Sequence, residues 1–463
     1  MAQRMLSSET RVAVGVGSVL LGGAVTVLGL LVLVSTRMSG LWVILFLVPI
    51  LLAASWPAFL RQARRERDAR LAQLLMLALV LKLSGSLVRY WVAIHVYEGV
   101  ADAIQYHQVG ADLARRFAAG NFDTGLSSLS GTDFIRFFTG VIYTVTGPSI
   151  YAGFLLYSWL AFWGMFLLYQ AFTIAVPDGN RRSYARLLFF LPSMLYWPSS
   201  IGKEAWMLFA LGLVAKGTAR LLTGRTWGGL VLAGTGLWLA TLVRPHVGGM
   251  AALGLLVAYL LARPPSRLGV LGAVMKLLGL AVLLGVAVVL LGQIQRYLLD
   301  KGIDPAEGVN SVLAESARRT SGGGSGFQAP STSTSLLGLP YATVTILFRP
   351  FPFEAHNAQA AVTALESALL LCLTVARSPT IWRAVRHLRR RPYVAFVVVY
   401  TAGFVVAFAS IANFGILARE RVQLLPFFFV LLAVQDRRRH GPAASPAADQ
   451  QRRVDASRQL ARA

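Results

Sequence analysis

The sequence is short of charge, and of acid above all. Of its 463 residues only 14% are Asp, Glu, Lys or Arg, and 20 acidic residues stand against 44 basic ones. Soluble globular chains carry roughly 25% charged residues, so a soluble enzyme is excluded, and with it a disordered chain or a coiled coil. Cysteine is nearly absent. Cys372 is the only one, which excludes a disulfide within the chain, a thiolate metal cluster and a redox pair. Histidine is scarce as well, and His95, His107, His246 and His356 show no ligand spacing. No metal site is expected from them and no cofactor is called for, although a divalent ion is left open.

What the chain does have is apolar length. Hydrophobic residues make up 56% of it, and its mean hydropathy is +0.61. They fall in runs at 12–35, 40–60, 71–97, 150–176, 184–199, 203–222, 227–243, 247–262, 268–292, 358–377, 393–412 and 421–435. About 20 apolar residues in a helix cross the hydrocarbon core of a bilayer. The pattern therefore predicts an all-α, polytopic membrane bundle of about twelve transmembrane helices, forming a single domain over 1–435. The first run is longer than the roughly 7–15 apolar residues of a signal peptide, so it is read as a retained span.

Charge sets the sidedness. With the N-terminus cytoplasmic, about 28 Lys and Arg fall on the inner side, against about 13 outside or at outer helix ends. Acids go the other way. The net charge of +24 is thus a property of cytoplasmic loops in a multi-pass plasma-membrane protein, and no nucleic-acid partner is implied. Two long segments, 98–149 and 293–357, belong to the outer face. In the first, Val109, Leu113 and Phe117, then Phe134, Phe138 and Ile142 after a Thr132–Asp133 cap, suggest two amphipathic helices lying at the headgroup level. The second holds SGGGSG and STSTS, which is linker composition, and ends in PYATVTILFRPFPF, expected to be a re-entrant or interfacial element acting as a lid. The basic tail at 436–463 reads as cytoplasmic and disordered.

Ionisable groups inside a span cost about 2.5–3.5 kcal/mol each on insertion scales, so their positions carry information. Most gather at outer helix ends. Asp102, Tyr106 and His107 form one group, with Asp102 and Tyr106 a helical turn apart. The plainer reading of Asp102 is a capping box with Gln105. WPSSIGKEA supplies Ser199, Ser200, Lys203 and Glu204 between two spans, after Pro192 and Pro198 interrupt the apolar run, a polar helix start with free N–H groups and an ammonium, suited to a phosphate. It is not a P-loop, because the GxxxxGK spacing is missing. Arg244 and His246, Arg349 with Glu354 and His356, and Arg419 with Glu420 and Arg421 complete the set. Each arginine alone would snorkel. Together they suggest one anion-holding cavity, with guanidinium forks on phosphate oxygens. Within the spans, Arg89 beside Tyr90 and Trp91 is expected to snorkel outward, Lys82 and Lys276 are candidates for an ion path, and Glu366 is the lone acid.

These residues carry a resemblance. D-A-x-x-Y-H at Asp102–His107, followed by an interfacial helix, is similar to the first external loop of the multi-span C-type (GT-C-like) glycosyltransferases. PSMLYWPSSIGKEA resembles a P-S-x-x-x-W-S-S-x-x-K-E pattern of related sugar transferases and bacterial envelope polysaccharide polymerases, and ARERVQLLPFF resembles their R-x-R-x-x-x-x-P span start. The matches cover about a tenth of the chain. Asp102 follows the third span here, whereas the family's acid follows the first.

The resemblance implies sugar transfer from a polyprenyl-phosphate donor to a glycan acceptor hydroxyl, in cell-envelope synthesis, with an envelope-synthesis complex as a candidate partner. Asp102 would be the base, Lys203, Arg244, Arg419 and Arg421 would hold the phosphate, and Tyr106 and His107 would orient sugar or acceptor. Two alternatives remain: a polymerase or ligase using diphosphate-linked oligosaccharides, and a transporter or flippase for an anionic lipid or glycan.

Overall fold

The computed structural model describes residues 42–262, 269–300, 338–411 and 413–435, with Gly40, Gly302, Arg318, Gly326 and Phe327 as isolated positions. The expected first span at 12–35, most of the stretch 301–337 and the tail from 436 lie outside the described residues.

Among the described residues every regular element is a helix: α1 (Trp42–Glu66), α2 (Ala69–His95), α3 (Asp102–Ala118), α4 (Gly131–Thr146), α5 (Ile150–Ala175), α6 (Arg181–Phe190), α7 (Pro192–Tyr196), α8 (Lys203–Leu222), α9 (Thr226–Val243), α10 (Pro245–Leu261), α11 (Gly269–Asp300), α12 (Leu339–Phe348), α13 (Ala358–Arg386), α14 (Pro392–Phe408), α15 (Phe414–Glu420) and α16 (Leu425–Ala433). Seven of them, α1, α2, α5, α8, α9, α11 and α13, contain stretches long and apolar enough to cross a membrane. They coincide with seven of the twelve expected runs. Helices α10 and α14 have 17 residues each, about 26 Å at 1.5 Å per residue. The run 184–199 is broken instead: Pro192 cannot donate an N–H to a continuing helix, so α6 ends at Phe190 and the five-residue α7 follows. The run 421–435 likewise becomes a 3-10 turn and the nine-residue α16.

Helices α5, α8 and α9 make the centre. Gly164 and Gly212 let α5 and α8 approach backbone to backbone, since a Cβ at either position would overlap the other helix. Helices α3 and α4 differ from the expected interfacial pair. Their apolar stripes turn toward each other and the bundle: Gly110 packs on Thr139, Leu113 on Gly140, and Phe134 and Phe138 stand edge-on to Trp206 at 4.7 Å.

The two ends of the bundle differ. At one end Arg181 pairs with Glu66 (3.3 Å) and Arg391 with Asp178 (3.1 Å), next to Arg64, Arg65 and the arginines that end α13. At the other end the C-terminus of α2 and the N-termini of α3, α8 and α13 come together around two hollows.

Candidate functional site

The first hollow, about 380 Å³, is polar. Five segments build it, one of them α5 through Phe154. From α2 come Arg89, Ala93 and, just past the helix end, Tyr97, spaced four apart and so on one face. From α3 come Asp102 and Tyr106. The turn between α7 and α8 gives Trp197, Ser200 and Gly202, leading into Lys203 and Glu204. Helix α15 gives Arg419.

Local chain chemistry frees these groups. The N-cap of α3 is Ala101, and Asp102 makes no capping bond, so the expected capping box does not form. Its carboxylate instead receives Arg419 Nη1 at 2.8 Å. Pro198 and an extended Gly202 end the turn so that Lys203 and Glu204 open α8, whose first N–H groups have no helical partner. Asn413 caps α15 by accepting from the Ile416 N–H at 3.1 Å, which fixes the helix carrying Arg419.

Carboxylates and guanidiniums interlock behind the wall. Arg419 Nε lies 3.3 Å from Glu204 Oε1. Buried Arg244 reaches Glu204 at 3.1 Å and Glu420 at 2.6 Å, and Gln423 donates to Glu420 at 2.8 Å. Glu204 raises the proton affinity of Arg419 further, so that guanidinium is a fixed charge. Burial, with the nearby Asp102 and Glu204 carboxylates, pushes the Tyr106 phenol up to about 12, leaving it a hydrogen-bond donor at neutral pH.

Two cations on the cavity have no carboxylate on them. Among the described residues, the Lys203 ammonium makes no hydrogen bond or ion pair. Arg89 donates to the Tyr196 hydroxyl at 2.9 Å and lies over the Tyr196 and Trp197 rings at 4.8 and 4.9 Å. It faces inward rather than snorkelling outward as expected.

Of the expected residues, Asp102, Tyr106, Ser200, Lys203, Glu204 and Arg419 line this cavity, and the others do not. Arg244 stands one layer behind. Ser199 donates to the Leu195 carbonyl at 2.6 Å. His107, held neutral by burial, bonds the Tyr143 hydroxyl at 2.8 Å. The ring of His246 sits 5.8 Å from Phe408. Arg349 pairs with Glu354 and lies against the stacked Phe327 and Phe414 rings, and His356 is exposed beside them. Arg421 is fully buried, donating to the Leu347 and Arg349 carbonyls and to Ser367. Its guanidinium joins three chain segments and is sealed off from any phosphate. Arg89, Tyr97 and Trp197 were missed. Their signal was the four-residue spacing back from Tyr97, masked by the neighbouring Tyr90–Trp91 belt.

The second hollow, about 620 Å³, is apolar, lying between the end of α2 (Trp91, Val92, Val96) and the start of α13 (Ala358, Val362). Tyr97 and Trp197 belong to both hollows, and the Tyr97 hydroxyl donates to Gln359 Oε1 at 2.7 Å across the boundary. Among the described residues no cluster of three potential metal ligands occurs. Compared with known proteins, the chain matches no family model, no curated protein and no solved structure.

Proposed function

We propose that the chain is a membrane glycosyltransferase moving a sugar from a polyprenyl-phosphate carrier to an acceptor hydroxyl at the extracytoplasmic face. One observation carries this reading: a cavity lined by two cations that no carboxylate contacts shares a wall with an apolar groove. A lipid phosphate has that same division, with an anion at one end and hydrocarbon at the other. The arginine-rich end of the bundle lies opposite, and by the positive-inside tendency that end is cytoplasmic.

In this reading Lys203, Arg89 and the N–H groups opening α8 take the phosphate, and the groove takes the first part of the chain. The acceptor hydroxyl stands against Asp102. Its oxygen attacks the anomeric carbon, the bond from that carbon to the phosphate oxygen breaks, and the electron pair leaves with the polyprenyl phosphate. The hydroxyl proton passes to Asp102, whose carboxylate Arg419 aims. Lys203 and Arg89 stabilise charge gathering on the leaving phosphate. Tyr106 remains protonated to orient acceptor or sugar. Arg244 and Arg421 take no part in phosphate binding, since their charges are committed to protein groups.

The test uses the purified chain in proteoliposomes with a polyprenyl-phosphate-linked radiolabelled sugar and a mixed glycan acceptor. Transfer of one sugar, lost in Asp102→Asn, is the expected result. Products many repeats longer, made only from diphosphate-linked donors, would move the chain to the polymerases. Lipid crossing the bilayer with no bond made would replace the reading with transport.

A further inference from the structure

Two charged side chains inside the bundle touch neither hollow, and the transfer scheme does not use them. Lys82, on α2, is fully buried, and its ammonium donates to the Met194 carbonyl at 2.6 Å. Glu366, on α13, is buried too, and accepts the Ser193 N–H at 2.7 Å. Both partners lie on α7, in adjacent residues. We infer that Lys82 and Glu366 form a two-sided clamp on α7, and that its task is to hold the partition between the polar cavity and the apolar groove.

The geometry is specific. A helix of five residues cannot satisfy most of its own N–H and C=O groups, and in an apolar bundle no water replaces the missing partners. Glu366 on the Ser193 N–H and Lys82 on the Met194 carbonyl satisfy two of them from opposite sides of the chain. Neither charge sits against the other. Gly85 brings α2 close enough that a Cβ there would lie 2.5 Å from the Leu195 carbonyl oxygen. Ser158 adds a cross-tie, donating to the Lys82 carbonyl at 2.9 Å, with Ser199 Oγ 3.3 Å away.

What α7 carries explains the expense. Pro192, Ser193 and Tyr196 line the groove, while Trp197, Ser200 and Lys203, immediately downstream, line the cavity. Tyr196 also seats Arg89. A shift of α7 would therefore move the lysine, the arginine's support and the groove wall at once. Lys82 and Glu366 are positioning residues. This assignment of their purpose rests on the proposed lipid-phosphate site, whereas the clamp itself does not.

Two measurements separate those layers. In a Cys372→Ala background, Ser200→Cys is labelled with a maleimide, with Ser127→Cys as a control remote from α7. Lys82→Met and Glu366→Leu should change the labelling rate at position 200 about ten-fold and leave the control unchanged, while Glu366→Gln, which keeps an acceptor for the Ser193 N–H, stays close to the parent. Equal rates at position 200 in all four proteins would overturn the clamp. The second measurement is farnesyl phosphate binding alongside the melting temperature. Binding should weaken about ten-fold in Lys82→Met and Glu366→Leu, beyond what their fall in melting temperature accounts for, while Glu366→Gln, which keeps the acceptor, binds like the parent. Binding that falls only in step with melting would reduce the pair to packing and overturn the inference. If the parent chain fails to bind farnesyl phosphate, the proposed function falls, and labelling at position 200 alone decides the clamp.

Discussion

Arg419 donates to Asp102 at 2.8 Å, joining residues 317 positions apart in sequence, and the same guanidinium reaches Glu204 at 3.3 Å. The side chains of Arg419 and Asp102 are 30% and 55% exposed. Ion pairs so exposed contribute about 0–1 kcal/mol to stability, so the pair is better understood as a device for aiming a carboxylate than as a strut. Asp102→Asn should therefore leave the melting temperature nearly unchanged while lowering transfer by about 10²- to 10⁴-fold, the usual share of a general base. Retained turnover would remove Asp102 from the chemistry.

The deeper arginine behaves oppositely. Arg244 and its partners Glu204 and Glu420 have side chains only 7–8% exposed. Removing Arg244 leaves two buried carboxylates to share Arg419, 3.3 Å from Glu204 and 4.0 Å from Glu420, a loss of about 3 kcal/mol. Arg244→Met should melt far below Asp102→Asn in the same detergent. A melting temperature equal to the parent's would mean that the triad is not closed in solution.

Lys203 has no hydrogen bond or ion pair to lose, only the longer-range field of the Glu204 and Glu420 carboxylates. Lys203→Met should keep or raise the melting temperature, yet weaken farnesyl phosphate binding by roughly 10- to 100-fold, the range expected for one charged hydrogen bond. The residual binding should also depend less on salt, since one exposed Coulomb partner has gone. Unchanged affinity would leave the cavity without its phosphate anchor.

His107 gives a pH signature. Burial lowers its pKa from the ordinary 6.5 or so. In the unfolded chain the imidazole takes up a proton near that ordinary value, and in the folded chain it resists until lower pH. The unfolded state thus binds more protons over that window, so stability falls as pH drops below about 6.5. His107→Gln should flatten the decline in melting temperature between pH 6.5 and 5. An unaltered slope would assign the acid sensitivity to other groups.

The bundle was legible because apolar length is a local signal, and seven of the expected spans are long helices. The remaining differences have local causes. Pro192 divided a run whose hydropathy was continuous, and in α3 and α4 periodicity marked an apolar face without saying whether lipid or Trp206 would cover it. At the site, clustering of costly residues pointed to Asp102, Lys203 and Arg419, which do share one cavity. It could not tell a cation open to the cavity from one anchored inside the protein. Arg421 and Lys203 look alike as letters, but one is bonded to two carbonyls and a serine while the other stands open. Arg89 was assigned outward because aromatic neighbours suggest an interface, whereas its direction is set by Tyr196, 107 positions away. Partners at such separations follow from tertiary packing and leave no spacing to read.

The groove supplies a test of chain length. Val362 lines its α13 side, and its side chain is 49% exposed. Val362→Trp fills that space with an indole while leaving Lys203, Arg89 and Asp102 untouched. If the groove receives hydrocarbon, each methylene it buries strengthens binding by about 0.8 kcal/mol, and affinity for prenyl phosphates should rise with chain length in the parent until the groove is full. In Val362→Trp the rise should stop at shorter chains, while inorganic phosphate or a short alkyl phosphate competes as before. The two hollows then separate cleanly, because a lesion in one alters the length series and a lesion at Lys203 shifts the whole series down together. A length series unaffected by Val362→Trp would detach the groove from the ligand, and the shared Tyr97–Trp197 wall would lose its meaning as the junction of head and tail.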